Sequence, residues 1–175
     1  VALLAEENGV KQRDGWYSFD RFFNKLDSPK SIGEKAAQRV VKRLGGKKVK
    51  SAAVSVVVDP EVASDFVGMI FNAAAGFNIY RLSSYLVDKL GQEIVSPAIT
   101  IIDDATIEDG LASRPFDGEG VKSTPLTVIE KGILKTYVCD AYSARRLNTN
   151  VTGNVGRNYQ SIQGVNASNL FLKNG

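Results

Sequence analysis

The 175-residue sequence predicts an α+β fold with a largely antiparallel sheet and flanking amphipathic helices, on three observations. Helical periodicities dominate its first half, strand and hairpin patterns dominate its second, and a run dense in charge, Gly and Pro at residues 111–121 divides the two. That run, Leu-Ala-Ser-Arg-Pro-Phe-Asp-Gly-Glu-Gly-Val, reads as a shaped loop of the kind a scaffold turns toward a cleft.

Taken in order, residues 1–5 are a short apolar run, and Glu6-Glu7-Asn8-Gly9 is a turn signal. Residues 10–23 alternate loosely around Trp16, Phe19 and Phe22 and read as a strand. Ser28-Pro29 joins a capping hydroxyl to a proline whose missing amide hydrogen costs nothing at the first helical position. Ile32, Ala36, Ala37, Val40, Val41 and Leu44 then keep one helix face apolar until Gly45-Gly46. Residues 52–58, rich in Val, predict a buried strand.

Asp59-Pro60-Glu61 repeats the helix start, and Val62, Phe66, Met69, Ile70, Ala73 and Ala74 form the expected buried stripe. The small residues Ala73-Ala74-Ala75-Gly76 leave room for another backbone. A further helix is expected over residues 80–90 and a strand over 95–102, closed by Asp103-Asp104. Beyond the loop, residues 126–129 and 133–138 flank Glu130-Lys131-Gly132 as a tight hairpin. Asp140 caps a short helix over 141–147, in which Tyr142 and Arg146 share a face. Residues 148–163 read as a polar loop, and 169–173 as a strand ending in the hairpin signal Asn174-Gly175. A chain with this pattern, starting inside an element and lacking a return strand, is expected to be a portion of a larger protein.

Composition limits the chemistry. Hydrophobic residues make up 43% and charged residues 23%, an ordinary globular balance. No run approaches the roughly 18 apolar residues of a membrane span, and the first residues lack a basic signal region, so a soluble cytoplasmic protein is expected. The net charge of +3 is too small to argue for nucleic acid, and the cluster Arg39, Lys42, Arg43, Lys47, Lys48 and Lys50 suits a helix C-terminus. With no His and one Cys, Cys139, this chain alone builds none of the common zinc sites and no Ser-His or Cys-His pair.

Asp117 and Glu119 flank Gly118, so an extended loop points both carboxylates one way, for acid-base work or a hard cation, unless they simply close a solvated turn. Adjacent Asp103 and Asp104 face opposite ways and read as a strand end. Arg114 either clamps a carboxylate from outside or pairs with Asp117. Ser143 and Arg145, in Ser143-Ala144-Arg145-Arg146, either face a cleft or partner or lie on a surface helix. Gly118-Glu119-Gly120 lacks the third glycine of a dinucleotide fingerprint.

At these residues a resemblance emerges. Residues 112–121, then Val128-Ile129-Glu130-Lys131-Gly132-Ile133-Leu134-Lys135, Tyr142-Ser143-Ala144-Arg145-Arg146-Leu147 and Thr152-Gly153-Asn154 resemble the TldD/PmbA family, often called modulators of DNA gyrase. Ala5-Glu6-Glu7-Asn8-Gly9, Ser28-Pro29 with Gly33-Glu34, and Tyr80-Arg81 to Leu90-Gly91 extend the resemblance across nearly the whole chain. It implies metal-dependent proteolysis, including peptide maturation, by a two-subunit assembly whose TldD subunit carries the zinc motif His-Glu-x-x-x-His. The matching stretch here is Gly68-Met69-Ile70-Phe71-Asn72-Ala73, without either histidine or the glutamate.

The resemblance therefore implies the PmbA (TldE) side of the family. Residues 1–175 are then one module, central to C-terminal, without the N-terminal domain and final strands. The module would hold no catalytic residue, metal or cofactor, with zinc expected in a TldD-like partner subunit; a homodimer is the alternative assembly. An unfolded peptide is the expected substrate, shaped by a cleft at Arg114, Asp117, Glu119, Ser143 and Arg145. No direct contact with nucleic acid or membrane is expected. Two alternatives are a binding module that modulates DNA gyrase or its inhibitor without proteolysis, and a stand-alone hydrolase using Asp117 and Glu119.

Overall fold

The computed structural model describes residues 1–160 and 164–173, which form two units, Val1–Val56 and Val57–Gly175. In the first unit, β1 (Ala2–Glu7) and β2 (Val10–Gly15) pair antiparallel with Glu7 opposite Val10. Asn8 and Gly9 both take positive φ, 51° and 77°, the backbone of a two-residue hairpin turn. The expected strand over 10–23 stops at Gly15. Past it the chain obeys turn chemistry: Ser18 Oγ accepts from Asp27 N, Asp20 Oδ1 accepts from Phe22 N, and a 3-10 turn spans Phe23–Lys25.

Helix α1 (Pro29–Lys42) begins where Ser28 Oγ accepts from Ser31 N at 3.2 Å. Ala36 and Val40 form its buried face, whereas Ala37 and Val41, expected in that face, are exposed. Arg39 and Arg43 both reach the Asp14 carboxylate, at 3.2 and 3.3 Å, so two cations of the basic cluster are tied to β2. Residues 52–58 are exposed and coil, not a buried strand. Valine favours extended backbone, but a strand also needs a ladder partner, and none pairs with this run among the described residues.

In the second unit, α2 (Pro60–Ala73) starts at Asp59, whose Oδ1 accepts from Glu61 N. Phe71 is buried and Val67, Ile70 and Ala73 pack on the core, while Val62, Phe66 and Met69 are exposed. Half of the expected stripe thus lies on the outer face, because α2 is apolar on both sides and the sheet covers only one. The small-residue corner behaves as its composition requires: Ala75 bridges Val138, Gly76 N donates to Val138 O at 2.7 Å, and a Cβ on Gly76 would lie 2.6 Å from Cys139 Sγ.

Helix α3 spans Gly76–Tyr80, so the expected helix over 80–90 is replaced by turns. Leu82 and Asp88 adopt positive φ, and Ser84 Oγ donates to Ala73 O and accepts from Leu86 N, holding a bend where a helix would need those groups in its ladder. The sheet runs β5 (Ile133–Leu134), β4 (Leu126–Glu130), β3 (Ile101–Asp103), β8 (Leu170–Leu172), all antiparallel. Of the strand expected over 95–102, only the last residues join β3, since the segment before it turns, with Ile99 N donating to Ser96 O. Lys131 and Gly132, φ 46° and 82°, make the β4–β5 turn.

Helix α4 (Ala141–Leu147) is capped by Asp140 as expected. Inside the polar stretch 148–163 read as loop, β6 (Val155–Gly156) forms and pairs with β7 (Gly164–Val165), which lies just beyond it. The Asn174-Gly175 signal lies outside the described residues. The core joins Phe71, Ala74, Ile79 and Leu86 to Ile101, Val128, Ile129, Leu134 and Val138. The fold is α+β with antiparallel ladders, as the sequence predicts.

Candidate functional site

The 111–121 loop is fastened rather than free. Asp117, almost fully buried, accepts three backbone hydrogens: Oδ1 from Glu119 N and Val121 N, Oδ2 from Val155 N, each at 2.9 Å. Gly118 N donates to Val155 O at 2.9 Å, so the loop is laced to β6 on both sides of its turn. Glu119 swings the other way, its Oε2 accepting from Ala141 N at the start of α4, where negative charge suits the helix dipole. The two carboxylates hold different backbone segments, Asp117 with both oxygens and Glu119 with Oε2, so the extended loop with both pointing one way is not what the structure describes.

A second buried acid supports the same region. Asp103 accepts from Asn154 Nδ2 at 2.6 Å and from Ser168 N and Oγ at 2.7 and 2.8 Å. Burial pushes its carboxyl pKa up, against the lowering effect of these bonds and of the nearby Arg114 charge. Asp104 faces the other way and caps Thr106 at 2.7 Å, the alternation expected of a strand end.

Between the loop and the β6–β7 ribbon lies an open cleft of about 680 Å³, walled by Arg114, Phe116, Gly118, Gly156, Arg157 and Asn166. Arg114 does not pair with Asp117, whose oxygens are already taken. Its Nε and Nη2 are buried without a hydrogen-bond partner. Gly118 is bare where it matters: a Cβ there would stand 2.9 Å from Arg157 Cβ. Arg157 and Asn166 escaped the sequence reading because two-residue strands carry no visible period; the Gly156-Arg157-Asn158 step was their only signal.

Ser143 is not part of this cleft. It is fully buried, and its Oγ donates to Asp140 Oδ1 at 2.5 Å while its N donates to the same oxygen, so it is engaged by the Asp140 cap of α4 and faces no open surface. Arg145 lines a different hollow of about 540 Å³ beside Tyr80 and Arg146. Tyr142 and Arg146 do share a face, and both meet the Tyr80 ring.

Gly68, Met69 and Ala73 sit on α2. Gly68 and Ala73 bring no donor atom and Met69 is an exposed thioether, so these residues do not fit zinc. Among the described residues no group of three or more His, Cys, Asp or Glu is placed to hold a metal ion. Cys139 is buried, which raises its thiol pKa, and no described helix is long and apolar enough to cross a membrane.

Comparison with known proteins shows the family and the fold. Residues 51–175 match the model of the PmbA/TldA metallopeptidase C-terminal domain. The chain is 37% identical to metalloprotease PmbA of Escherichia coli O157:H7 over 88% of its own length and 34% of the relative's. It is 33% identical to a metalloprotease of Methanocaldococcus jannaschii, covering 98% of this chain and 39% of that one. Among solved structures, TldE of Thermococcus kodakarensis superposes with a TM-score of 0.78 at 27% identity, over 98% of this chain and 39% of that chain. A Bacteroides thetaiotaomicron protein named for modulation of DNA gyrase gives 0.87 at 28% identity, over 99% and 37%. The chain thus spans little more than a third of the length of these relatives.

Proposed function

Because the chain belongs to the PmbA/TldD metallopeptidase family, we propose that it is the zinc-motif-lacking part of a two-subunit peptidase in the cytoplasm, in which a TldD-like subunit holds zinc and performs hydrolysis. The observation that carries this reading is α2, where the positions that the family resemblance matches to His-Glu-x-x-x-His hold Gly68, Met69 and Ala73. Gly68 and Ala73 have no side-chain atom to bind a metal, and the Met69 thioether cannot act as the base that activates a water. The role left to this subunit is to shape the cleft and hold an extended, unfolded peptide, as in proteolysis or peptide maturation. A homodimer would then be inert.

The test uses the full-length protein, alone and co-expressed with a homologue carrying His-Glu-x-x-x-His. Zinc content and cleavage of an unfolded peptide are expected only with the partner. Stoichiometric zinc or cleavage by the protein alone overturns the reading. A second reading, binding of gyrase or its inhibitor without proteolysis, draws on the name of the Bacteroides relative. It requires that interaction in the absence of any metallopeptidase partner.

A further inference from the structure

We propose that the cleft between the 111–121 loop and the β6–β7 ribbon is a carboxylate-binding site in which Arg114 and Arg157 grip an acidic side chain or terminal carboxylate of a peptide. The choice of a peptide as carrier rests on the reading above; the requirement for a carboxylate rests on the cleft alone.

Three observations carry it. The first is which edge of Arg114 is unpartnered. Nε and Nη2 are the two nitrogens whose hydrogens run parallel, the edge that takes both oxygens of a carboxylate at once. Arg114 lines the cleft while its main chain is fixed by donation from its own N to Ala105 O at 3.0 Å. Turning the fork toward an acceptor in the cleft breaks no hydrogen bond, and it gives a partner to donors that the protein wall leaves unmet.

The second is the company Arg114 keeps. Arg157, exposed, lines the same cleft, with the Asn166 amide beside it. The one carboxylate in the lining, Asp117, has three of its roughly four acceptor positions filled by backbone hydrogens, which leaves it little capacity as an acceptor for either guanidinium. The third is the balance of charge. Asp117 at the cleft and Asp103, which senses the Arg114 charge, oppose a doubly charged phosphate more than a singly charged carboxylate.

The experiment is fluorescence anisotropy with the full-length protein and two labelled peptides of one sequence. One has glutamates and a free terminus; the other has glutamines and an amidated terminus. The acidic peptide is expected to bind about tenfold more tightly. Arg114→Gln and Arg157→Gln should each remove most of that difference, while Lys48→Gln, a change in the other unit, leaves it intact. Arg157 is exposed, so its variant keeps the test decisive if Arg114→Gln fails to fold, as thermal melting would report.

Equal binding of the two peptides overturns the proposal, as does an unchanged preference in folded Arg157→Gln. Displacement of the peptide by inorganic phosphate at lower concentration than by acetate overturns the carboxylate assignment. The assay needs no zinc subunit. It therefore stands or falls independently of the co-expression experiment.

Discussion

Asp103 shows how a single side chain holds a site without belonging to its chemistry. Its carboxylate joins β3 to the segments bearing Asn154 and Ser168, yet burial makes its charged form costly and raises its pKa. An acid whose folded pKa lies above its unfolded value contributes stability that is full below the unfolded pKa, near 3.9, and is lost as pH rises through the folded one. Asp103→Asn should therefore destabilise by about 1–3 kcal/mol at pH 4 and by less at pH 7. Thermal or urea melts of the two proteins at both pH values measure the gap, and a gap that widens toward pH 7 refutes the assignment. Little of this was legible beforehand: the sequence marks Asp103-Asp104 as a strand end, but the partners of Asp103 lie 51 and 65 residues away.

At the scale of elements, legibility follows locality. Ser28, Asp59 and Asp140 each cap the helix that their own sequence neighbourhood announces, and Asn8-Gly9 turns as expected because its conformation is set within four residues. Replacing Ser28 by Ala should cost about 1 kcal/mol, read as a drop in Tm, with Ser28→Asn close to neutral; equal losses in both would show that the cap is not the cause. Where tertiary contacts decide, the local signal misleads. Residues 80–90 carry helical spacing, yet Ser84 bonds to Ala73 and Leu86 and holds a bend instead. The Val-rich 52–58 run has the composition of a strand without a ladder. The site divides in the same way: the loop with Arg114 stands out by its own charge and glycines, whereas Arg157 and Asn166 enter only through a pairing no window can see.

For the molecule as a whole, the chain belongs to the PmbA/TldD family and has an α+β architecture with antiparallel ladders. One consequence concerns time. The β4–β5 hairpin closes over two residues, while the Asp117–Val155 and Asp103–Ser168 bonds span 38 and 65. Loop-closure entropy favours the hairpin over these long-range bonds, and the prediction is that the hairpin forms early and the acid bonds after the rate-limiting step. Ser168→Ala should then speed unfolding several-fold and leave refolding within about twofold of the parent, as stopped-flow fluorescence would record; a matching slowdown in refolding would place Ser168 in the nucleus. A cleft whose walls are joined by the last bonds to form is also the first region to open, and amide exchange at Val155 and Ser168 is the clock on which that opening is read.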